Sequence, residues 1–225
     1  MNLDDAKTVF EMGARSYLGQ GVAKDYEEAA KSFRKAAELN HTEAQVHLAY
    51  MHSVGLGVAK DAAEAAKWYR KAAEQNSVLA QVNLASMCAT GLGVNKDSAE
   101  AAAWYRKAAE QGNVSAQVNV AYMCATGLGV ALDYHEAAKW YRAAAEQNNT
   151  DAQYGLGTLY FNGHGVAKSL TEAYAWFNLA SRESQTAATV RDTTEKQLSP
   201  EEVSIAQKRT KELRAQIEAK TRPAG

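Results

Sequence analysis

Two cysteines of this sequence lie in identical heptapeptides. The segment CATGLGV occupies residues 88–94 and again residues 124–130, so each thiol stands shortly before a Gly-x-Gly sequence. A thiolate can act as a nucleophile or bind a metal, and a glycine-rich loop at a helix N-terminus can bind phosphate. The pattern therefore raises the question of whether CATGLGV is a reactive site or a repeated structural element.

The cysteines belong to a column of residues spaced by 36: Ser16, His52, Cys88, Cys124 and Tyr160. Equivalent positions of packed helices are roughly 8–10 Å apart, whereas a disulfide requires Cα atoms within about 7 Å. A column is also nearly linear, whereas zinc ligands must converge on one point. No third group is placed to orient His52 as a base. We therefore predict buried thiols, no catalytic residue, no metal site and no cofactor.

The Gly-x-Gly-Val element occurs five times with the same spacing of 36 residues. A phosphate loop precedes a helix N-terminus directly, commonly after a strand, but here the element follows a predicted helix. Five copies also argue against a single site. We predict that the first glycine ends a helix, that the second forms a tight turn, and that the valine packs into the core.

The repeat extends from about residue 4 to about residue 183, and each unit is predicted to form two helices, A and B. Helix B begins at an acidic or serine cap followed by Glu, as in Asp61–Glu64, which predicts a reciprocal capping box. It ends where the chain can become left-handed, at Asn40, Asn76, Gly112 and Asn148. Alanines and a Trp–Tyr pair cover a wide arc of helix B, so adjacent units must stack to bury it.

The pattern AQVNLASMCATGLGVNKDSAEAAAWYRKAAEQ and its copy at residues 116–147 resemble the Sel-one-like repeat family, a relative of tetratricopeptide repeats. The resemblance implies an all-α fold, a right-handed α/α superhelix of five repeats whose concave face is lined by the A helices. It also implies a scaffold or adaptor that binds proteins, with no common catalytic residues. The cysteine column departs from the family pattern, which has Tyr there, as at Tyr160.

Aligning helix A with tetratricopeptide repeats predicts a peptide-binding groove. An asparagine pair, Asn83 and Asn119, could bond the backbone of an extended peptide or could instead bond neighbouring helices. Aromatic residues would add rigid contact area. The full predicted set is Asn83, Asn119, His47, Tyr50, Tyr122, Val82, Val118, Thr90, Thr126 and Tyr154. The recurring Gln45, Gln81, Gln117 and Gln153 are predicted to form hydrogen bonds between repeats.

The repeat period stops near residue 184, which divides the sequence into five repeats at 1–183 and a C-terminal segment at 184–225. We predict a helix at 186–198 and another beginning at Ser199-Pro200. The second carries one apolar stripe: Val203, Ala206, Thr210, Leu213 and Ile217. It is predicted to cover the last repeat, with partner binding or dimerisation as the alternative.

Composition limits the classes of partner. Lys and Arg number 25 against 26 acidic residues, for a net charge of −1, which indicates neither nucleic acid nor an anionic membrane. No apolar run approaches a membrane span, and the start has no signal-peptide pattern. We expect a monomer or a weak dimer. The expected compartment is the cytoplasm, or the periplasm or the exterior of the cell if a leader was removed. The expected function is non-catalytic binding of a protein or peptide. The alternatives are a module that binds a small molecule or envelope polymer and, less favoured, a Cys/His enzyme.

Overall fold

A computed structural model describes residues 3–222, and all the regular secondary structure in that range is helical. The twelve helices are α1 Leu3–Leu18, α2 Tyr26–Glu38, α3 Thr42–Val54, α4 Ala62–Glu74, α5 Val78–Thr90, α6 Ser98–Glu110, α7 Val114–Thr126, α8 Tyr134–Ala145, α9 Thr150–Asn162, α10 Leu170–Ala180, α11 Gln185–Glu195 and α12 Pro200–Thr221. The predicted all-α class is confirmed. Residues 1–2 and 223–225, the ends of the two predicted sequence domains, lie outside the described residues.

The chain divides into two compact units, with the boundary between Gln111 and Gly112. In unit 1, the helix pairs α1–α2, α3–α4 and α5–α6 are linked by contacts of α2 with α3 and of α4 with α5. In unit 2, the pairs α7–α8 and α9–α10 meet through α8 and α9, and α10 also contacts α11 and α12. Each odd-numbered helix from α1 to α9 is a predicted helix A, and each even-numbered helix from α2 to α10 is a helix B.

The predicted caps of helix B are confirmed, but the reciprocal half of the predicted capping box is wrong in the repeats. Asp61 accepts a hydrogen bond from the Glu64 N–H at 2.9 Å. The Glu64 carboxylate, however, accepts a hydrogen bond from Trp68 Nε1 at 2.9 Å instead of bonding the cap backbone. Glu100 and Glu136 bond Trp104 and Trp140 in the same way. Because an indole N–H that is largely buried needs an acceptor, the glutamate serves the tryptophan.

The predicted ends of helix B are confirmed by left-handed backbone at Asn40, Asn76, Gly112 and Asn148, whose φ angles lie between 64° and 86°. Helix A likewise ends at a left-handed glycine, as at Gly55 and Gly91. These residue types tolerate positive φ at low cost.

Where another repeat of the same unit precedes it, the second glycine of Gly-x-Gly does more than form a turn, because it lies against the backbone of that repeat. A Cβ added at Gly57 would overlap the carbonyl group of Tyr26, the first residue of α2. The same overlap occurs between Gly93 and Ala62 in unit 1, and between Gly165 and Tyr134 in unit 2. No side chain fits between the turn and the start of the preceding helix B, so only glycine allows this approach.

The valine that follows this glycine was predicted to pack into the core, and that prediction is wrong. Val22 is 52% exposed, and Val58, Val94, Val130 and Val166 are only half-buried. At Gly57, Gly93 and Gly165, the turn lies so close to the preceding helix that the backbone itself forms the contact. The valine side chain therefore lies at the edge of the core.

The core consists mainly of alanines and of the predicted Trp–Tyr pairs of helix B. Ala65, Ala72, Trp68 and Tyr69 are all buried in α4, and the Lys71 ammonium lies 4.0 Å from the Trp68 ring centroid. Most of the tryptophan column is therefore structural, as predicted, although Trp140 is only half-buried.

Buried glutamines connect successive repeats, as predicted. The Gln81 amide, which is fully buried, donates to the Ala73 carbonyl of the preceding repeat at 3.3 Å. Its oxygen accepts from Gln111 Nε2 at 2.8 Å. Gln45 makes the corresponding bonds to Ala37 and Gln75. Each glutamine thus satisfies a carbonyl near the end of one helix B and a side chain at the end of the next.

At the C-terminus, α12 begins at Ser199-Pro200 with a complete capping box to Glu202, as predicted. Ala206, Thr210, Leu213 and Ile217 are its buried residues, whereas Val203 is half-buried. Arg209 Nε donates to Glu172 of α10 at 2.7 Å. The contact of α12 with α10 agrees with the expectation that this helix covers the last repeat.

Within residues 3–222, no helix is both long enough and apolar enough to cross a membrane.

The glycine contact predicts a position-dependent cost of alanine substitution. Gly57→Ala and Gly21→Ala both place alanine at positive φ, but Gly21 has no atom near its Cβ position. Gly21→Ala should cost about 1 kcal/mol in the free energy of unfolding because of the left-handed backbone. Gly57→Ala should cost about 3 kcal/mol or more because the backbone must also move. Urea unfolding followed by circular dichroism measures both, and equal costs would contradict the contact.

The glutamine ladder predicts a loss of stability when its buried amide is removed. Gln81→Leu keeps a similar volume but removes the bonds to Ala73 and Gln111, so it should cost about 1–3 kcal/mol. Gln216→Leu, at an exposed position of α12, is the control and should change stability by less than about 0.5 kcal/mol. An unchanged urea midpoint for Gln81→Leu would show that the ladder is not a stabilising interaction.

Candidate functional site

The two cysteines of CATGLGV are buried thiols, and neither forms a disulfide within the part of the chain that the structure describes. Burial, with a smaller contribution from nearby Glu100, raises the pKa of Cys88 to about 11. Cys124 Sγ lies 3.5 Å from a carboxylate oxygen of Glu136 and donates to it. The raised pKa keeps the Cys88 thiol protonated at neutral pH, which disfavours a nucleophile.

The histidine of the same column already uses both ring nitrogens. His52 Nε2 accepts from the Arg34 guanidinium at 2.9 Å, because arginine can only donate. Nδ1 then carries the proton and donates to the Ala59 carbonyl at 3.3 Å. Neither nitrogen is directed at a thiol. Among residues 3–222, no group of three His, Cys, Asp or Glu side chains has a geometry that could hold a metal ion.

The predicted groove residues of unit 1 lie on α3 and α5. Tyr50 is 45% exposed, Val82 and Asn83 are half-buried, and Thr90 is exposed. Asn83 Nδ2 donates to the Leu79 carbonyl of its own helix at 2.7 Å, so this amide does not make the bond to a neighbouring helix that was considered as the alternative. Its oxygen and second N–H are left for other partners.

His47 is held in a cluster of aromatic rings. Its ring centroid lies 5.0 Å from that of Phe33 and 5.5 Å from that of Phe10. Its Nδ1 is 2.9 Å from the Glu43 carbonyl of its own helix. The side chain is half-buried, so packing among rings accounts for most of its surface in unit 1.

Unit 2 brings five of the predicted residues to one cavity of about 500 Å³, which we call the tyrosine cavity. The five are Val118, Asn119, Tyr122, Thr126 and Tyr154. Tyr122 is 52% exposed, and Asn119 Nδ2 donates to the Ser115 carbonyl of its own helix at 2.8 Å. The Thr126 hydroxyl donates to the Tyr122 carbonyl at 2.8 Å. The cavity therefore combines aromatic surface with unoccupied hydrogen-bond acceptors.

Other residues of the tyrosine cavity were not among the predicted site residues: Tyr134, Tyr141, Asp151 and His164. The Tyr134 and His164 rings stack with centroids 4.5 Å apart. The sequence contained a signal for His164, since this residue stands where three of the other repeats have Leu, at Leu56, Leu92 and Leu128. From the sequence, Tyr141 was assigned to the core together with its Trp neighbour. In the structure it is buried in the core and also lines the tyrosine cavity.

The position of Tyr141 depends on a glycine inside α9. A Cβ at Gly155 would approach the Tyr141 ring to 2.7 Å, so Gly155 allows the ring to lie against the helix backbone. In unit 1, Ser53 and Ser86 lie beside the hydroxyls of Tyr69 and Tyr105 and lower the pKa of these tyrosines, against the larger effect of burial, which raises it.

In unit 2, Ala125 and Tyr122 stand at the positions that correspond to Ser53 and Ser86. Burial, followed by the nearby Tyr122 and Asp151, raises the pKa of Tyr141 to about 12. The Tyr141 hydroxyl is therefore protonated at neutral pH.

A second cavity, of about 470 Å³, lies on α4 beside Trp68 in unit 1. Its charged side chains already interact within the unit: Lys67 pairs with Glu64 at 3.2 Å, Arg70 pairs with Glu100, and Lys71 lies on the Trp68 ring. These contacts support the fold, and the tyrosine cavity is the better candidate for a ligand.

Known structures share this architecture. A protective antigen of uropathogenic Escherichia coli that displays an SLR fold is 31% identical, with a TM-score of 0.79 over 92% of this chain. The chain spans only 46% of that protein. A Sel1 repeat protein from Oxalobacter formigenes is 33% identical, with a TM-score of 0.76 over 83% of this chain and 77% of its own. No curated protein sequence matches this chain.

The family comparison accounts for most of the sequence. The model of the Sel1 repeat matches five consecutive segments, residues 7–41, 42–77, 78–113, 114–149 and 150–184. The five repeats and the all-α fold expected from the sequence are thereby confirmed. Proteins built from these repeats are generally scaffolds for protein interactions. The chain belongs to the Sel1 repeat family.

Proposed function

We propose that this protein is a non-catalytic scaffold that binds a peptide segment of another protein through the exposed side chains of its A helices. The observation that carries the proposal is the tyrosine cavity, where five residues chosen from the sequence as groove residues line one space of about 500 Å³. Ligand sites are typically concave and mostly apolar, with a few polar groups that orient the ligand.

The side chains around the cavity suit an extended peptide. Tyr122 and Tyr154 offer rigid, amphipathic area, which is common in protein interfaces. Asn119 keeps its oxygen and one N–H after bonding the Ser115 carbonyl, so it can pair with the N–H and C=O groups of a peptide backbone. Asn83 has the same arrangement on α5 in unit 1.

The contacts of the cysteine column weigh against an enzyme based on Cys and His. His52 bonds Arg34 and the Ala59 carbonyl, and the Cys88 thiol is buried with a raised pKa. A module for a small molecule or an envelope polymer would use the same cavity. Such a ligand can be told from a peptide by testing whether it displaces a bound peptide.

The proposal predicts that peptide binding depends on the two asparagines. Peptides are selected from a random phage-displayed library on the full chain, and their affinities are measured by fluorescence anisotropy. Asn83→Ala combined with Asn119→Ala should weaken binding by about threefold or more, because a backbone hydrogen bond to the peptide is lost whichever unit the peptide occupies. The helical circular-dichroism signal and the melting temperature should stay nearly unchanged.

The matched control is Ile205→Ala, which removes an exposed apolar side chain of α12 that does not line the cavity. It should bind the selected peptides as the native chain does. Undiminished affinity of the asparagine double variant, or selection of no peptide at all, would contradict the proposal.

A further prediction concerns the thiols. Because burial raises the pKa of Cys88 to about 11, its thiolate is scarce at pH 8, and Ellman's reagent should react with it at least about a hundredfold more slowly in the folded chain than in urea. The Cys124→Ser variant isolates this signal. Rapid labelling of folded Cys88 would instead favour a reactive thiol.

A further inference from the structure

The tyrosine cavity differs in chemistry from the positions two repeats earlier in unit 1. Three residues of its lining are Tyr134, Asp151 and Tyr154. The residues two repeats earlier are Ala62, Leu79 and Val82. The repeated scaffold therefore carries an aromatic and acidic site in unit 2 that its general pattern does not require, and this difference points to a particular ligand.

The polar groups of the cavity are mainly acceptors. The Asp151 carboxylate is exposed and can only accept. The Thr126 and Thr158 hydroxyls donate their protons to helix carbonyls at 2.8 and 3.0 Å, which leaves their lone pairs available. Asn119 keeps its oxygen. Among the described lining residues there is no lysine or arginine, and His164 is the one side chain there that can become cationic.

The aromatic walls favour the same kind of ligand. Tyr122, Tyr134 and Tyr154 line the cavity, and the negative quadrupole of a tyrosine ring attracts a cation within about 6 Å of its centroid. The Tyr141 ring is 8% exposed, and its hydroxyl, which lacks the serine partner present in unit 1, lies near Asp151. A desolvated hydroxyl oxygen of this kind gains from an N–H donor.

We propose that the tyrosine cavity binds an arginine side chain of the partner peptide, with the guanidinium group between the tyrosine rings and paired with Asp151. Arginine fits better than lysine because its planar group stacks on aromatic rings and presents five donors to several acceptors. This inference rests on the proposed function, since it names the side chain that the peptide contributes.

The test uses two small probes that differ in charge. N-acetyl-arginine amide and N-acetyl-citrulline amide have nearly the same shape, but citrulline is neutral. Each is titrated into the ¹⁵N-labelled full chain and followed by amide chemical shifts. The arginine probe should shift amides of residues 118–126 and 151–158, and the citrulline probe should bind at least about fivefold more weakly. N-acetyl-lysine amide should be intermediate.

Variants connect the charge preference to this cavity. Asp151→Asn should weaken binding of the arginine probe by about threefold or more, and Tyr154→Leu should do the same, whereas Tyr154→Phe should bind nearly as the native chain does because it keeps the ring. The control is Glu201→Gln, which neutralises an acidic residue at the same kind of position, the first turn of α12. It should leave the affinity unchanged.

Equal binding of the arginine and citrulline probes, shifts located elsewhere, or an unaffected Asp151→Asn variant would each overturn the inference. Such results would leave the scaffold proposal standing if selected peptides still depend on Asn83 and Asn119. Circular dichroism of each variant separates loss of binding from loss of folding.

Discussion

In the turns that follow another repeat of the same unit, the contact between the second glycine and the first peptide group of the preceding helix B constrains the structure more than any other. At Gly57, Gly93 and Gly165, the turn and the helix start approach so closely that a Cβ would overlap a carbonyl group. This approach sets the spacing of successive repeats within each unit. The alanine-rich faces of helix B and the glutamine ladder, which both join successive repeats, form at that spacing.

The same constraint separates the structural from the variable part of each repeat. Helix B and the turn carry residues with recurring tasks, such as Asp61 at the cap and Trp68 in the core. The exposed side of helix A is not required for capping or core packing, so its residues can differ from one repeat to the next. Aromatic packing fills this side around His47 in unit 1, whereas unit 2 has the tyrosine cavity.

Much of the fold could be predicted from the sequence because it depends on local chemistry repeated five times. The caps, the left-handed ends at Asn40 and Asn76, and the role of Gln81 all follow from residue type and spacing. The place of Val58 could not be predicted, since it depends on how closely Gly57 approaches a neighbouring backbone. Glu64 was misassigned because the Asp61 N–H donates to the His52 carbonyl of α3 at 2.9 Å, a tertiary contact that leaves the Glu64 carboxylate for Trp68.

Of the residues of the candidate site, only those at recurring positions of helix A could be predicted. Asn119 and Tyr122 were found through their columns, whereas Tyr134 and His164 come from the start of helix B and from the turn. Such residues can be recognised as departures from the repeat pattern, but their convergence on one cavity requires three-dimensional information. Asp151 gave no such signal, because an acidic residue in the first turn of a helix is common for electrostatic reasons alone.

The central claim is that a partner peptide lies on the A helices of unit 2, and site-specific photo-crosslinking tests it most directly. Benzoyl-phenylalanine is placed at position 122 on α7 or at position 205 on the exposed side of α12, and each protein is irradiated with a selected peptide. A covalent adduct at position 122 and none at position 205 is the predicted result. An adduct at position 205 without one at position 122 would contradict the account.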